Sequence, residues 1–399
     1  MSLWRILRVS QPVGRFVPRA APIAGALFLF YAPRPPDVAF RIHPIDTGAS
    51  ETAAVADINR DGRLDIVSGE HWYEAPSWTK HRFRELDFTN QYIDDFSDLP
   101  IDVDGDGYPD IVSVSWFAKR IAWWRNPGKA SGLWKEAEIH AGFNIEFALL
   151  ADLDNDGKAQ EILAQENDTG QSWYEVKNGA WIKHVVSDRS YGHGIGAGDI
   201  NKDGRTDILT PRGWLEAPPD PRSGPWTFHP DWESINTTSP SGRLTDLGFM
   251  HVADVNGDGL NDVIAAAAHD YCVFWFEQGE HGQWTRHVID NAWSQGHAST
   301  LVDVNGDGKP DLVTGKRFMA HNGADPGERE PLGVYWYEFR AGSRGVEWTR
   351  HIVDYGGRMG GGMQIPVVDI DGDGDLDLVC PGKSGLFLVE NLSKRRVKP

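Results

Sequence analysis

Short apolar runs recur along the chain at intervals of about fifty residues, each opened by an acid: DIVSG, DIVSV, EILAQ, DILTP, DVIAA, DLVTG and DLVCP. Runs this short, bounded by Asp, Gly and Pro, predict strands rather than helices. An aromatic strand ending in an acid usually follows, as Trp72-Tyr73-Glu74, Trp173-Tyr174-Glu175, Trp214-Leu215-Glu216, Trp275-Phe276-Glu277 and Trp336-Tyr337-Glu338. Trp123-Trp124-Arg125 and Leu388-Val389-Glu390 vary the theme. A further strand carries Trp-x-x-His and then a hydrophobic residue, at Trp78, Trp181, Trp226, Trp284 and Trp348, with a degenerate copy at Trp134. With the strand before each apolar run, the unit holds four strands. Four short strands at this period predict an all-β, seven-bladed β-propeller of four-stranded blades.

The ends of the pattern predict how the ring closes. The last unit stops after its third strand, near Asn391, whereas Phe40–Asp46 resembles the fourth strand Trp284–Asp290. The first strand should therefore complete the last blade, leaving no open sheet edge. One propeller is expected over 38–392, with a basic tail at 393–399. Residues 1–36 differ: Arg5, Arg8, Arg15 and Arg19 precede the apolar run Ala20–Ala32. That order fits an export signal, and the run is too short to cross a bilayer core of about 30 Å. A soluble, secreted or periplasmic product is expected.

An acidic loop precedes every apolar run, as D-x-[DN]-x-D-G-x-x-D. The seven copies start at Asp57, Asp102, Asp152, Asp199, Asp254, Asp303 and Asp369, a mean spacing of 52 residues. Positions 1, 3, 5 and 9 offer hard oxygen ligands, and Gly at position 6 permits a sharp turn, which suits Ca²⁺. The predicted ligands are Asp57, Asn59, Asp61 and Asp65 in the first loop and Asp102, Asp104, Asp106 and Asp110 in the second. The third supplies Asp152, Asp154 and Asp156, and the fourth Asp199, Asn201, Asp203 and Asp207. Then come Asp254, Asn256, Asp258 and Asp262; Asp303, Asn305, Asp307 and Asp311; and Asp369, Asp371, Asp373 and Asp377. Gln160 stands at position 9 of the third loop, so a weak or empty site is expected there. A turn merely rich in Asp and Gly is the alternative.

Charge and composition narrow the function. The formal charge is −19, and seven Ca²⁺ would reduce it to −5. No basic stripe exists to meet a nucleic-acid backbone. Two cysteines, Cys272 and Cys380, exclude a disulfide scaffold and are expected free and buried. No Ser-His-Asp pattern, P-loop or dinucleotide fingerprint appears.

The loops and the W-Y-E strands together resemble FG-GAP/VCBS-repeat propellers, a superfamily that includes integrin α heads. The W-x-x-H and W-Y-E elements look closest to the propeller domain of aldos-2-ulose dehydratase and its bacterial relatives. The resemblance covers about 38–392 and implies a calcium-bearing propeller. Through the dehydratase family it implies sugar chemistry, a carbon–oxygen lyase reaction.

If the acidic loops join strands one and two at one end of each blade, the functional loops gather at the other end. One set of residues there precedes the inner strands: Glu51, Glu146, His193, His251, His297 and Gln364. A second set lies about 14 residues after each first Asp: His71, Trp116, Glu166, Arg212, His269, Arg317 and Lys383, with Lys316 beside Arg317. His193, His251 and His297 could hold a further divalent metal, since imidazole suits such ions. His71 or Glu166 would move a proton and Arg317 would anchor substrate. Trp116 would stack on a sugar ring, with Arg212, His269, Lys316 and Lys383 as binding groups. The bland alternative is that each histidine only bonds backbone. The expected function is carbohydrate binding at the channel mouth, with metal-assisted β-elimination on a keto- or uronic sugar. A non-catalytic glycan- or protein-binding propeller of the integrin-head type is the rival. The W-x-x-H histidines, His81, His184, His229, His287 and His351, are assigned to contacts between blades. Two long insertions, Pro230–Phe249 and Phe318–Leu332, are expected to form a lid or wall on the ligand face.

Overall fold

A strand covered on both faces needs apolar side chains at successive positions, and the DIVS-type runs supply them. Asp65–Ser68, Asp110–Val114 and Asp262–Ala266 are buried along their whole length. Outer strands such as Thr79–Arg82 and Ala180–Ser187 keep exposed positions. The computed structural model describes residues 37–48, 50–129, 132–166, 170–177, 179–237 and 244–394. The expected export signal at 1–36 and residues 395–399 of the tail lie outside the described residues.

The described chain is all-β, a propeller-like ring of four-stranded antiparallel sheets. One sheet joins Ala54–Ala56, Asp65–Ser68, His71–Glu74 and Thr79–Arg82. Separate sheets begin at Ser97–Ile101, Ile145–Ala151 and Ser299–Val302. An eight-stranded sheet consists of two such units, starting at Ile195–Gly198 and Phe249–Ala253, whose inner strands pair in parallel. The last sheet holds Val367–Val368, Asp377–Cys380 and Leu386–Asn391. Phe40–Asp46 completes it, with Phe40 opposite Asn391. The first strand thus closes the last unit, as the sequence predicts. The inner strands surround a central cavity of about 470 Å³, to which Ala54, Leu99, Leu149, Ala197, Met250, Thr300 and Val368 contribute.

Each acidic loop turns through its sixth-position glycine, at φ values from +83° to +94° in Gly62, Gly107, Gly157, Gly204, Gly259, Gly308 and Gly374. Side chains rarely adopt that conformation, so glycine is required there. The W-x-x-H histidines differ from expectation. Their recurring contacts lie within a blade, and among the described residues His351 alone of the five also bonds Asp37 at 3.0 Å, just ahead of the strand that completes the next sheet. His81 lies opposite Trp72 on the adjacent strand, stacks on it at 4.3 Å and bonds Glu74 at 2.8 Å. His184 repeats this with Trp173 and Glu175, and His229 with Trp214 and Glu216. The tryptophan, the glutamate and the histidine are one cross-strand device. Cys272 and Cys380 are free and buried.

Candidate functional site

At the acidic loops, the first aspartate gathers backbone N–H groups. Asp57 accepts from Asp61 and Gly62 through its two oxygens, and Asp152 accepts from Asp156 and Gly157 in the same way. Carboxyl oxygens of Asp102, Asp104 and Asp110 lie within 4.8 Å of one another, as do those of Asp369, Asp371 and Asp377. This oxygen-only donor set fits a hard cation such as Ca²⁺. The ninth-position carboxylate also has a second task. Asp65 accepts the Ile58 N–H at 3.0 Å and the Ala75 N–H at 2.9 Å, tying the loop to the end of the third strand. Burial is the main cause that pushes such acids up, to about 6 for Asp65 and about 7 for Asp207 and Asp377. In the third loop, Glu161 does the work that Gln160 cannot. Its carboxylate accepts the Leu153 N–H at 3.0 Å and groups with Asp152 and Asp154. The longer side chain offsets the one-residue shift, so the third loop keeps an acidic donor set.

At the channel mouth, a cavity of about 260 Å³ is polar on one side and aromatic on the other. Tyr92, Phe96, Trp116 and Phe117 form the aromatic wall. The Asp94 carboxylate fixes part of it by accepting the N–H groups of Trp116, Phe117 and Ala118 at 2.7–3.0 Å. On the polar side stand Glu146, His193, His269 and Arg317. Ligand atoms of Glu146, His193, His269 and His297 all fall within 4.8 Å of one another. His193 sits between two positive-φ glycines, and a Cβ on Gly194 would lie 2.6 Å from the Leu247 carbonyl oxygen. That close approach lets His193 Nδ1 bond the same oxygen at 2.9 Å.

Hydrogen bookkeeping exposes a conflict at this cluster. A carbonyl oxygen only accepts, so His193 Nδ1 carries a hydrogen and Nε2 faces inward. His269 Nδ1 donates to Asp325 at 2.8 Å, which turns its Nε2 inward too. The two Nε2 atoms are 3.2 Å apart, and His193 Nε2 is 2.7 Å from a Glu146 oxygen. Only acceptors would converge there unless a proton or a cation sits among them. His297 is fully buried, and neither of its ring nitrogens has a hydrogen-bond partner among the described residues. Its Nε2 lies 3.8 Å from Glu146. Four donors around a metal with bonds of about 2.0–2.1 Å stand roughly 3.3 Å apart. The distances within the cluster, 2.7, 3.2 and 3.8 Å, bracket that value. Imidazoles with one carboxylate suit Zn²⁺ or a similar first-row ion.

The electrostatics separate the members of the cluster. Burial alone would raise the Glu146 carboxyl, but His193, Arg317 and His297 outweigh it and hold it well below the usual range. Burial would lower His193, yet Glu146 wins and holds it above its ordinary value. Burial, then Arg317, drives His297 well down, so this imidazole stays neutral with a lone pair available. Arg317 is buried and grips Glu51 through two bonds of 2.9 and 3.1 Å and Glu146 through one of 2.6 Å. It braces the cluster from behind.

The structure redistributes the sequence-predicted site residues. His193 and His297 come together, joined by His269 and Glu146. His251 does not join them: it bonds Ser299 at 2.8 Å, lines the central cavity, and burial pushes it down to about 4. His71 lines a separate pocket of about 90 Å³. Glu166 is buried against the Tyr174 hydroxyl and Lys183, both at 2.9 Å. Neither lines the mouth cavity, so the proton-transfer role assigned to them has no geometry behind it. Arg317 has its guanidinium committed to two glutamates, which leaves it a brace rather than a substrate anchor. Arg212 pairs with Glu233. Lys316 is buried and bonds Ser294 and Gly327, and Lys383 bonds the Met319 carbonyl oxygen at 2.8 Å, so both secure the second insertion. Trp116 lines the cavity. His321 and Asp325, in that same insertion, escaped sequence reasoning because they belong to no repeat. Both insertions reach the cavity, the first through Asp246 and the second through Ala320 and His321.

Two stretches, residues 102–160 and 254–314, match the family model of the FG-GAP-like repeat. No curated protein matches the chain by sequence. Among solved structures, BBS1N in complex with ARL6DN superposes with a TM-score of 0.52 at 10% identity, over 90% of this chain and 96% of that one. Virginiamycin B lyase from Staphylococcus aureus gives 0.50 at 12% identity, over 89% and 100%. The exotype rhamnogalacturonan lyase YesX gives 0.49 at 12% identity, over 88% and 72%. At such identities the likeness to the first two concerns the fold alone.

Proposed function

We propose that the chain is an exported, calcium-stabilised propeller whose channel mouth holds a first-row divalent metal and eliminates across a C–O bond of a keto- or uronic sugar. The observation that carries this reading is the convergence of Glu146, His193, His269 and His297 on one point of a cavity with an aromatic wall. Counting the eight-stranded sheet as two blades gives seven, one for each acidic loop. The calcium loops stiffen the far end of every blade and so fix the loops that build the mouth.

Glu146, His193, His269 and His297 would hold the metal. When bound, it would act as a Lewis acid on a carbonyl or carboxylate oxygen of the ligand and so acidify the neighbouring C–H. The chain's own residues supply the rest. Trp116 and Phe117 offer a flat apolar surface to the sugar ring. Arg317 and Glu51 keep Glu146 oriented, and the Leu247 carbonyl and Asp325 keep His193 and His269 turned inward, the arrangement that metal-site histidines require.

Two measurements test the proposal together. Elemental analysis after calcium is accounted for should find one transition metal per chain, absent from His297→Ala. A screen of keto-sugars and uronate oligomers should show the new absorbance of an unsaturated product. A metal-free chain with no product from any of them overturns the reading.

A further inference from the structure

With His71 and Glu166 away from the cavity, the elimination lacks a group to take the proton. We propose that His321 is that group and that Asp325 is its positioning residue, so that the Phe318–Leu332 insertion is part of the active site. This rests on the lyase reading given above.

His321 lines the mouth cavity together with His193 and His269. Its side chain is 54% exposed, so a ligand can reach it. Its Nδ1 donates to Asp325 Oδ2 at 2.9 Å, and the same oxygen accepts His269 Nδ1 at 2.8 Å. A carboxylate that accepts from Nδ1 fixes the tautomer, leaving Nε2 as the free basic atom. The His321 and His269 rings lie parallel, with centroids 4.2 Å apart and planes 12° from each other. Asp325 thus sets the position of a metal-site imidazole and of the exposed imidazole with one oxygen. The backbone is held as well. The buried Glu328 carboxylate accepts the His321 N–H, and Ala324 N–H bonds the His321 carbonyl oxygen at 3.2 Å. The placement is therefore built, not a chance position of a loose loop.

The step balances without a further reagent. His321 Nε2 takes the proton from the carbon beside the carbonyl or carboxylate. The C–H electron pair becomes the new C=C bond, and the C–O bond at the next carbon breaks. The departing oxygen keeps the bond pair and takes the proton back from the His321 imidazolium, which restores the neutral ring.

The test uses the metal-loaded full chain. His321→Ala should keep the transition metal and its affinity but lose product formation by at least about a hundredfold, at the low end of general acid–base contributions. It should also lose solvent-deuterium exchange at the acidic carbon. Imidazole added to solution should restore part of both in His321→Ala. Asp325→Asn should lose part of the rate, Asp325→Glu should recover some of it, and free imidazole should rescue neither. Diethyl pyrocarbonate mapping adds a readout that needs no substrate: Zn²⁺ should shield His193 and His269 while His321 stays reactive. Turnover and exchange that survive His321→Ala overturn the base while leaving the lyase intact. Shielding of His321 by Zn²⁺ makes it a ligand and also overturns the base. A wild-type chain that turns over none of the sugars overturns the lyase and the base together.

Discussion

Two sets of histidines in this protein obey opposite rules. Those on the outer strands repeat, and three of them share one satisfied arrangement: His81, His184 and His229 all stack on a tryptophan and bond a glutamate. At the channel mouth His193 and His297 share one repeat position, six residues ahead of a loop, but the cluster they join forms at one place in the ring. They crowd one carboxylate, and His297 is buried with both nitrogens unpartnered. An unsatisfied buried polar group costs about 1–3 kcal/mol, so the mouth is less stable than it would be if satisfied or apolar. Repetition serves the fold, and the unrepeated, under-satisfied cluster is where chemistry is to be sought.

The comparison breaks most sharply at the mouth. His297→Ala or Glu146→Gln should cut transition-metal affinity by more than the roughly 10–100-fold typical of outer-shell changes, and Glu146→Gln should also lower the melting temperature, because it leaves the buried Arg317 with one carboxylate fewer. Titration calorimetry alongside a melting curve checks both halves. Parent-like affinity in both variants would mean that the cluster holds no metal.

The next largest effect belongs to the acidic loops. Chelating calcium should lower the melting temperature markedly, since one site at a hundredfold its Kd contributes about 2.7 kcal/mol. Glu161→Ala should remove one calcium from the count by removing the third loop's inward acid. A count unchanged by that substitution would show that Gln160 leaves the loop empty from the start.

A smaller effect sharpens the same point through pH. Burial raises Asp65, Asp110 and Asp262 to about 6 and Asp207, Asp311 and Asp377 to about 7. An acid raised on folding leaves stability at its fullest below the unfolded value and removes it as pH climbs through the folded value. The chelated chain should therefore melt higher at pH 5 than at pH 7.5, and calcium should flatten the slope. Melting curves at both pH values, with and without calcium, decide it; a chelated chain that melts lower at pH 5 contradicts the burial argument.

The smallest effect lies on the outer strands. His184→Ala should cost about 1–2 kcal/mol in denaturant unfolding, from a lost hydrogen bond and a lost ring contact. Metal content and turnover should not change. A loss of metal there would erase the distinction between the two sets.

Much of this was legible before any coordinates. The loops, the four-strand unit and the closing strand Phe40–Asp46 follow from a pattern repeated seven times, and repetition averages away local noise. His193 and His297 were also legible, because both stand six residues ahead of a loop and beside glycine. His251 shows the limit. It lies three residues ahead of its loop, which carries it down the inner strand into the central cavity and against Ser299. The spacing marks His269 as a sugar-binding group; its pairing with His193 needs the fold. His321 and Asp325 carry no motif, so nothing short of the folded insertion marks them.

The sequence by itself determined the repeat, the sheets and the oxygen-rich turns, because spacing and side-chain type act within a unit of about fifty residues. Which side chains meet at the centre was decided by tertiary structure alone. Glu146, His193, His269 and His297 come from separate repeats up to 151 residues apart. They converge only because the inner strands encircle one axis, and a side chain's depth along that axis depends on a shift of two or three residues that no local pattern records.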